Sequence, residues 1–237
     1  MKKIIKKTLT GILVLYILTI LFPQFLFANK LEHSNFTVYY HSDKIDIDEI
    51  KKVIDKSTEL IKESEIYESS INQKLFVTNN YLEFSYFSPL SRNSFAVNYP
   101  ITQNIFLTKS SFLNNKIERN GKSNNVRSLS SVIAHETTHS LLENKLGFLK
   151  NKRLEHWKTE GYCDFIAKES SFDESEGFEI FCNNDKNDSY SYNYFKYRLY
   201  TEYILTDLKV GLDSFLTDDF DTENLNNQIK NKYCTQQ

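Results

Sequence analysis

Nothing in this sequence limits the fold as strongly as the pentad His135-Glu136-Thr137-Thr138-His139, set in a stretch from Leu129 to Leu146 with helical periodicity. In a helix, residues four apart lie one turn apart on the same face, so both imidazoles can reach a single metal ion. Glu136 lies about 100° round the helix, beside such an ion, where its carboxylate can take a proton from a metal-bound water. Val132, Leu142 and Leu146 share the face of His135 and His139, which places the histidines in the core-facing stripe, where polar groups need partners. A pair of core histidines satisfied by hydrogen bonds is the bland alternative.

A catalytic zinc needs a third protein ligand and one open position. The extended pattern with Gly and His after the second histidine fails here, because Leu142 and Lys145 hold those places. Trp157-Lys158-Thr159-Glu160-Gly161 opens the next helical stretch, Glu155 to Lys168, on which Glu160 and Asp164 share a face. Glu160 fits as the third ligand. Asp164 can accept the second ring N–H of a ligating histidine, and Gly161 allows a close helix approach. Without the histidines, both acids would pass as solvated surface charges.

Around this centre the pattern is α/β first and helical afterwards. Phe36 to Tyr40, Lys74 to Thr78, Phe95 to Asn98 and Asn104 to Leu107 read as strands, and Ile47 to Ile61 as an amphipathic helix. Leu113 to Arg127 reads as a loop, as does the polar stretch Ser170 to Ser191. Tyr194 to Leu208 is helical, and shorter helices start at Leu212 and Glu223. At 237 residues the chain has room for one full-sized domain. The expected division is a leader or anchor at 1–28, an α/β part at 29–126 and a helical part carrying the site at 127–237.

Residues 1–28 carry four Lys and no acid, then an apolar run from Leu9 to Phe22, Pro23 and a small Ala28. This predicts an export signal cleaved after Ala28, or an N-terminal membrane anchor if uncleaved, with everything from Asn29 onward outside the cytoplasm. Beyond residue 28 the chain has 25 Lys+Arg against 31 Asp+Glu, which argues against nucleic acid as a partner. Of three cysteines, Cys182 and Cys234 can pair, whereas Cys163, inside a helical pattern, packs as a small apolar residue. Three free thiols are the alternative.

H-E-x-x-H followed by W-x-x-E-G resembles the gluzincin metallopeptidases, most closely the peptidase MA-like domains, with a similar order of elements from about Phe36 to Leu216. The resemblance implies a zincin-like α+β fold: a mixed N-terminal sheet with helices, a mainly helical C-terminal half, and the active site between them. It implies one Zn²⁺ per chain held by His135, His139 and Glu160, with Glu136 as general base, Asp164 behind a ligating histidine, and a peptide or protein substrate. Similar domains place an oxyanion-donating Tyr about four turns before a helix-ending Gly; Gly211 points back to Tyr197, with Tyr194 and Tyr200 as neighbours. In similar enzymes an edge strand such as Asn104 to Leu107 pairs with extended substrate; an interior strand without that role is the alternative. Tyr162-Cys163 departs from the aromatic-then-Ala that the family often shows after the Glu-Gly pair. No G-x-M-E-N type of amine-binding motif is present, which favours an endopeptidase over an aminopeptidase. The rival expectation is a non-catalytic extracytoplasmic binding or adhesion module that keeps the fold.

Overall fold

In the computed structural model, which describes residues 2–41 and 45–234, α1 (Lys2–Leu21) and a 3-10 turn (Pro23–Leu26) lead into β1 (Asn29–His33) and β2 (Phe36–Tyr40). There follow α2 (Ile47–Lys62), β3 (Gln73–Val77), α3 (Tyr81–Phe87), β4 (Ala96–Tyr99) and β5 (Asn104–Leu107). The short strands β6 (Ser110–Ser111), β7 (Lys116–Glu118) and β8 (Val126–Ser128) come next. The rest is helical: α4 (Leu129–Leu146), α5 (Phe148–Asn151), α6 (His156–Ala167), α7 (Glu174–Asn183), α8 (Tyr190–Glu202), a π turn (Tyr203–Asp207), α9 (Leu212–Thr217) and α10 (Thr222–Tyr233). The chain is α+β, as its pattern predicts.

The main sheet is mixed, in the order β1-β2-β3-β5-β4: β2, β3 and β5 run parallel, and β1 and β4 are antiparallel edges. Alternation along the strands gives the sheet two different faces. Val38, Leu75, Val77, Ile105 and Leu107 face an aliphatic core shared with Ile50, Val53 and Ile54 of α2 and with Leu129, Val132 and Ile133 of α4. Phe76 and Phe106 lie in an aromatic cluster with Phe84, Phe87 and Phe27. A third cluster joins α6, α8, α9 and α10 around Tyr162, Phe195 and Phe215.

Several stretches depart from the sequence pattern. Asn104–Leu107 is an interior strand, because the preceding hairpin arm, β4, adds outside it; the edge near α4 is therefore β4. The stretch read as a loop from Ser170 to Ser191 holds α7, capped by the Asp173 carboxylate on the Glu176 amide and packed through Gly177 against the Phe195 ring. The loop from Leu113 to Arg127 contains β7 and most of β8. β1, with no apolar run, forms by pairing with β2.

Cys182 and Cys234 form a disulfide that ties α7 to the end of α10, and Cys163 is a buried free thiol. Among the described residues no helix is long and apolar enough to cross a membrane.

Candidate metal centre

α4 spans the predicted residues and stops at Gly147, whose φ of +76° suits a residue without a Cβ. It is buried between the sheet and α2 on one side and α6 on the other. Val132 belongs to the sheet-side core and Leu142 to the helical one, so the histidine stripe runs along the seam between them.

α6 delivers the acids to that seam. Trp157 anchors its first turn among Tyr200, Phe215 and Phe220. Gly161 lets α6 and α8 touch backbone to backbone: a Cβ there would stand 2.5 Å from the Tyr197 carbonyl oxygen. One turn further on, the fully buried Asp164 sets its Oδ1 2.7 Å from His135 Nδ1 and 3.1 Å from a guanidinium nitrogen of Arg127. Arg127 also donates to the Glu169 carbonyl oxygen at 2.8 Å, and the Glu169 carboxylate accepts the Ser128 amide at the start of α4.

With Nδ1 committed to Asp164, His135 presents Nε2, which lies 3.2 Å from His139 Nε2 and 3.3 Å from Glu160 Oε2. Glu160 Oε1 stands 3.7 Å from His139 Nε2, closing a triangle of two imidazole nitrogens and one carboxylate. Tetrahedral zinc, with N and O ligands at roughly 2.0–2.1 Å, holds its ligand atoms about 3.4 Å apart; the two imidazole nitrogens are close to that spacing, and the Glu160 carboxylate approaches each of them through a different oxygen. A second donor set, His135, His139 and Cys163, spreads over as much as 4.8 Å. Cys163 Sγ meets His139 at Nδ1, 3.4 Å away, the ring nitrogen not turned toward His135, and burial pushes its thiol pKa well up. It therefore fits better as the partner of His139's outer nitrogen than as a third ligand.

The ionisation of these groups follows from their neighbours. Burial opposes a charged His135, but the Asp164 carboxylate, with Glu160 behind it, outweighs burial and raises the pKa to about 10. For His139 burial wins over the pull of Glu160, and the pKa falls to about 4. Burial also opposes a charged Glu160, yet His139 and His135 bring it down to about 2. Glu136, buried and repelled by Glu160, rises to about 7. Its main chain is pinned from the edge strand: Asn98 of β4 donates to the Glu136 carbonyl oxygen at 2.6 Å and to Ser140 Oγ at 2.7 Å.

The tyrosines divide. Burial raises the Tyr194 pKa strongly, and the negative charge of Glu160 adds to it. Tyr197 lies more open, with its ring 6.0 Å from the His156 ring, and Tyr200 turns away to donate to Asn226. His156 stands at the rim, its side chain 63% exposed and its Nδ1 3.6 Å from Glu160 Oε1. The structure thus brings the pentad and the Glu160/Asp164 pair together. Arg127, Asn98, Glu169 and the thiol behind His139 carry no local signal of their place in the sequence. No protein-family model and no curated protein matches this chain.

Proposed function

We propose that the protein is a zinc-dependent peptidase of the zincin-like, gluzincin type, acting outside the cytoplasm. The observation that carries this is the triangle of His135 Nε2, His139 Nε2 and Glu160, with edges of 3.2, 3.3 and 3.7 Å. Such a donor set, two imidazoles and a carboxylate, is typical of zinc that keeps a position open for water. Bound there, zinc would lower the pKa of a coordinated water and polarise a substrate carbonyl.

The chain's own residues supply the rest. Glu136, with a pKa raised to about 7, is suited to accept a proton near neutral pH and to return it to a leaving amine. Asp164, braced by Arg127, holds the His135 tautomer, and Cys163 backs His139 more weakly. Tyr194 offers a hydroxyl beside Glu160 as the oxyanion donor, with Tyr197 next along α8. The β4 edge, joined to α4 through Asn98, is where an extended peptide can add as a further strand; β5, being interior, cannot serve. The disulfide suits an oxidising compartment.

One observation favours the rival, a binding module without metal. His135 already meets two carboxylates, so the buried charge network is chemically complete as a core. Elemental analysis of the full chain, purified without chelator or metal-affinity resin, separates the two. About one zinc per chain, lost in His139→Ala, together with cleavage of a peptide library that Glu136→Gln abolishes, supports the peptidase. A folded chain that takes up no added zinc overturns it.

A further inference from the structure

We propose that residues 20–27 are a permanent part of the folded domain, not a leader removed after Ala28, and that α1 holds the protein on an anionic lipid surface. The proposal stands on the far side of the sheet from the metal centre and does not depend on it.

The aromatic face of the sheet is closed by this segment. Phe27 is only 8% exposed; its ring stacks on His41 at 4.4 Å and lies 5.3 Å from Phe76 and 5.9 Å from Phe87. Pro23 is buried, and Ile20 packs against the same cluster. Polar contacts continue the attachment back into α1. The Tyr16 hydroxyl donates to the Tyr86 carbonyl oxygen at 2.8 Å, Thr19 Oγ1 and the Tyr86 hydroxyl are 2.6 Å apart, and Asn104 reaches the Ile20 carbonyl oxygen at 3.5 Å. Cleavage after Ala28 would strip the cover from Phe76, Phe87 and Phe106, leaving an apolar patch that a soluble domain does not carry without a partner.

The part of α1 further from the sheet is apolar and open to solvent. Leu9, Ile12, Leu13, Val14 and Leu15 are 50–64% exposed, and on the adjoining α3 and the loop after it Leu82 and Leu90 are 79% and 98% exposed. Because Ile12, Leu13, Val14 and Leu15 are consecutive, the apolar surface runs round every side of the helix, which suits surroundings of lipid rather than of water. Charge names the lipid: Lys3, Lys6 and Lys7 precede the run, and the first acid of the chain is Glu32, which favours anionic headgroups.

The test uses the full chain with a C-terminal tag, expressed in an exporting host. Intact mass gives the N-terminus, and flotation with vesicles of phosphatidylglycerol in phosphatidylcholine, against phosphatidylcholine alone, gives the lipid preference. The expected mature chain begins upstream of Ile20 and floats with the anionic vesicles. Replacing Lys3, Lys6 and Lys7 by Gln should weaken that partition by roughly 100-fold, at about tenfold or less per charge. Phe27→Ala should lower the thermal midpoint without changing flotation. A folded chain that starts at Asn29, a full chain that stays off both vesicles or merely dimerises in solution, or a thermal midpoint unmoved by Phe27→Ala overturns the proposal. Zinc content measured on the same samples reports on the peptidase separately.

Discussion

The two sides of α4 are both covered by other elements but built from opposite materials. Toward the sheet and α2 the helix presents Leu129, Val132, Ile133 and Leu141, which belong to an apolar cluster with the sheet and α2. Toward α6 it presents His135 and His139 against Glu160, Cys163 and Asp164. The dry side needs no special geometry beyond volume, because burial of apolar area is non-directional. The ionisable side is stable only if each charge meets its counterpart, since an unpaired buried charge costs several kcal/mol. A sequence keeps such a side at a stability risk, which is why we assign function to it and folding to the other.

That division can be broken by experiment. The largest effect belongs to Glu136→Gln: on peptide substrate, turnover should fall by about 10²- to 10⁴-fold, while zinc content and the thermal midpoint stay near wild type. A matched loss of stability would mean that the carboxyl is structural. Asp164→Ala leaves Arg127 and His135 buried without their shared carboxylate and should cost about 3–5 kcal/mol in urea unfolding, with zinc lost as well. On the apolar side, Ile133→Ala should cost about 2–4 kcal/mol and leave zinc affinity unchanged; a shift in zinc affinity would show that the two sides are not separable. Smallest is Cys163→Ala, expected to weaken zinc binding by about tenfold, at the low end for an outer partner of a ligating histidine, with little change in folding. No change at all would return Cys163 to a packing role.

How far the sequence reveals this arrangement depends on how local each cause is. The ends of α4 follow from its periodicity and Gly147, and the convergence of His135 with His139 from the helix turn. Glu160 and Asp164 are likewise one turn apart, so their common face is legible even though their target is not. Strand order is a different kind of fact. Asn104–Leu107 carries the more apolar residues, as an interior strand does, but nothing local says that Ala96–Tyr99 pairs outside it. Arg127 lies where a polar loop is expected, and only the meeting of β8 with α6 buries it. Tyr194 rather than Tyr197 is the more deeply buried of the two near Glu160 because α8 starts at Tyr190, a turn earlier than its apolar pattern suggests, and because Gly161 fixes how α8 lies on α6. α7 escapes notice for the same reason: its buried residues, Gly177 and Phe181, are too few to form a stripe without the partner helix.

The backbone contact at Gly161 also bears on how the protein can move. Where two helices meet through side chains, they can slide by repacking rotamers; where main chain meets main chain, that slack is gone. α6 and α8 are therefore expected to shift together, carrying Glu160 and Tyr194 with them. Gly161→Ala would test this: by prying the two helices apart, it should let Tyr194 fluctuate independently of the carboxylate it now accompanies.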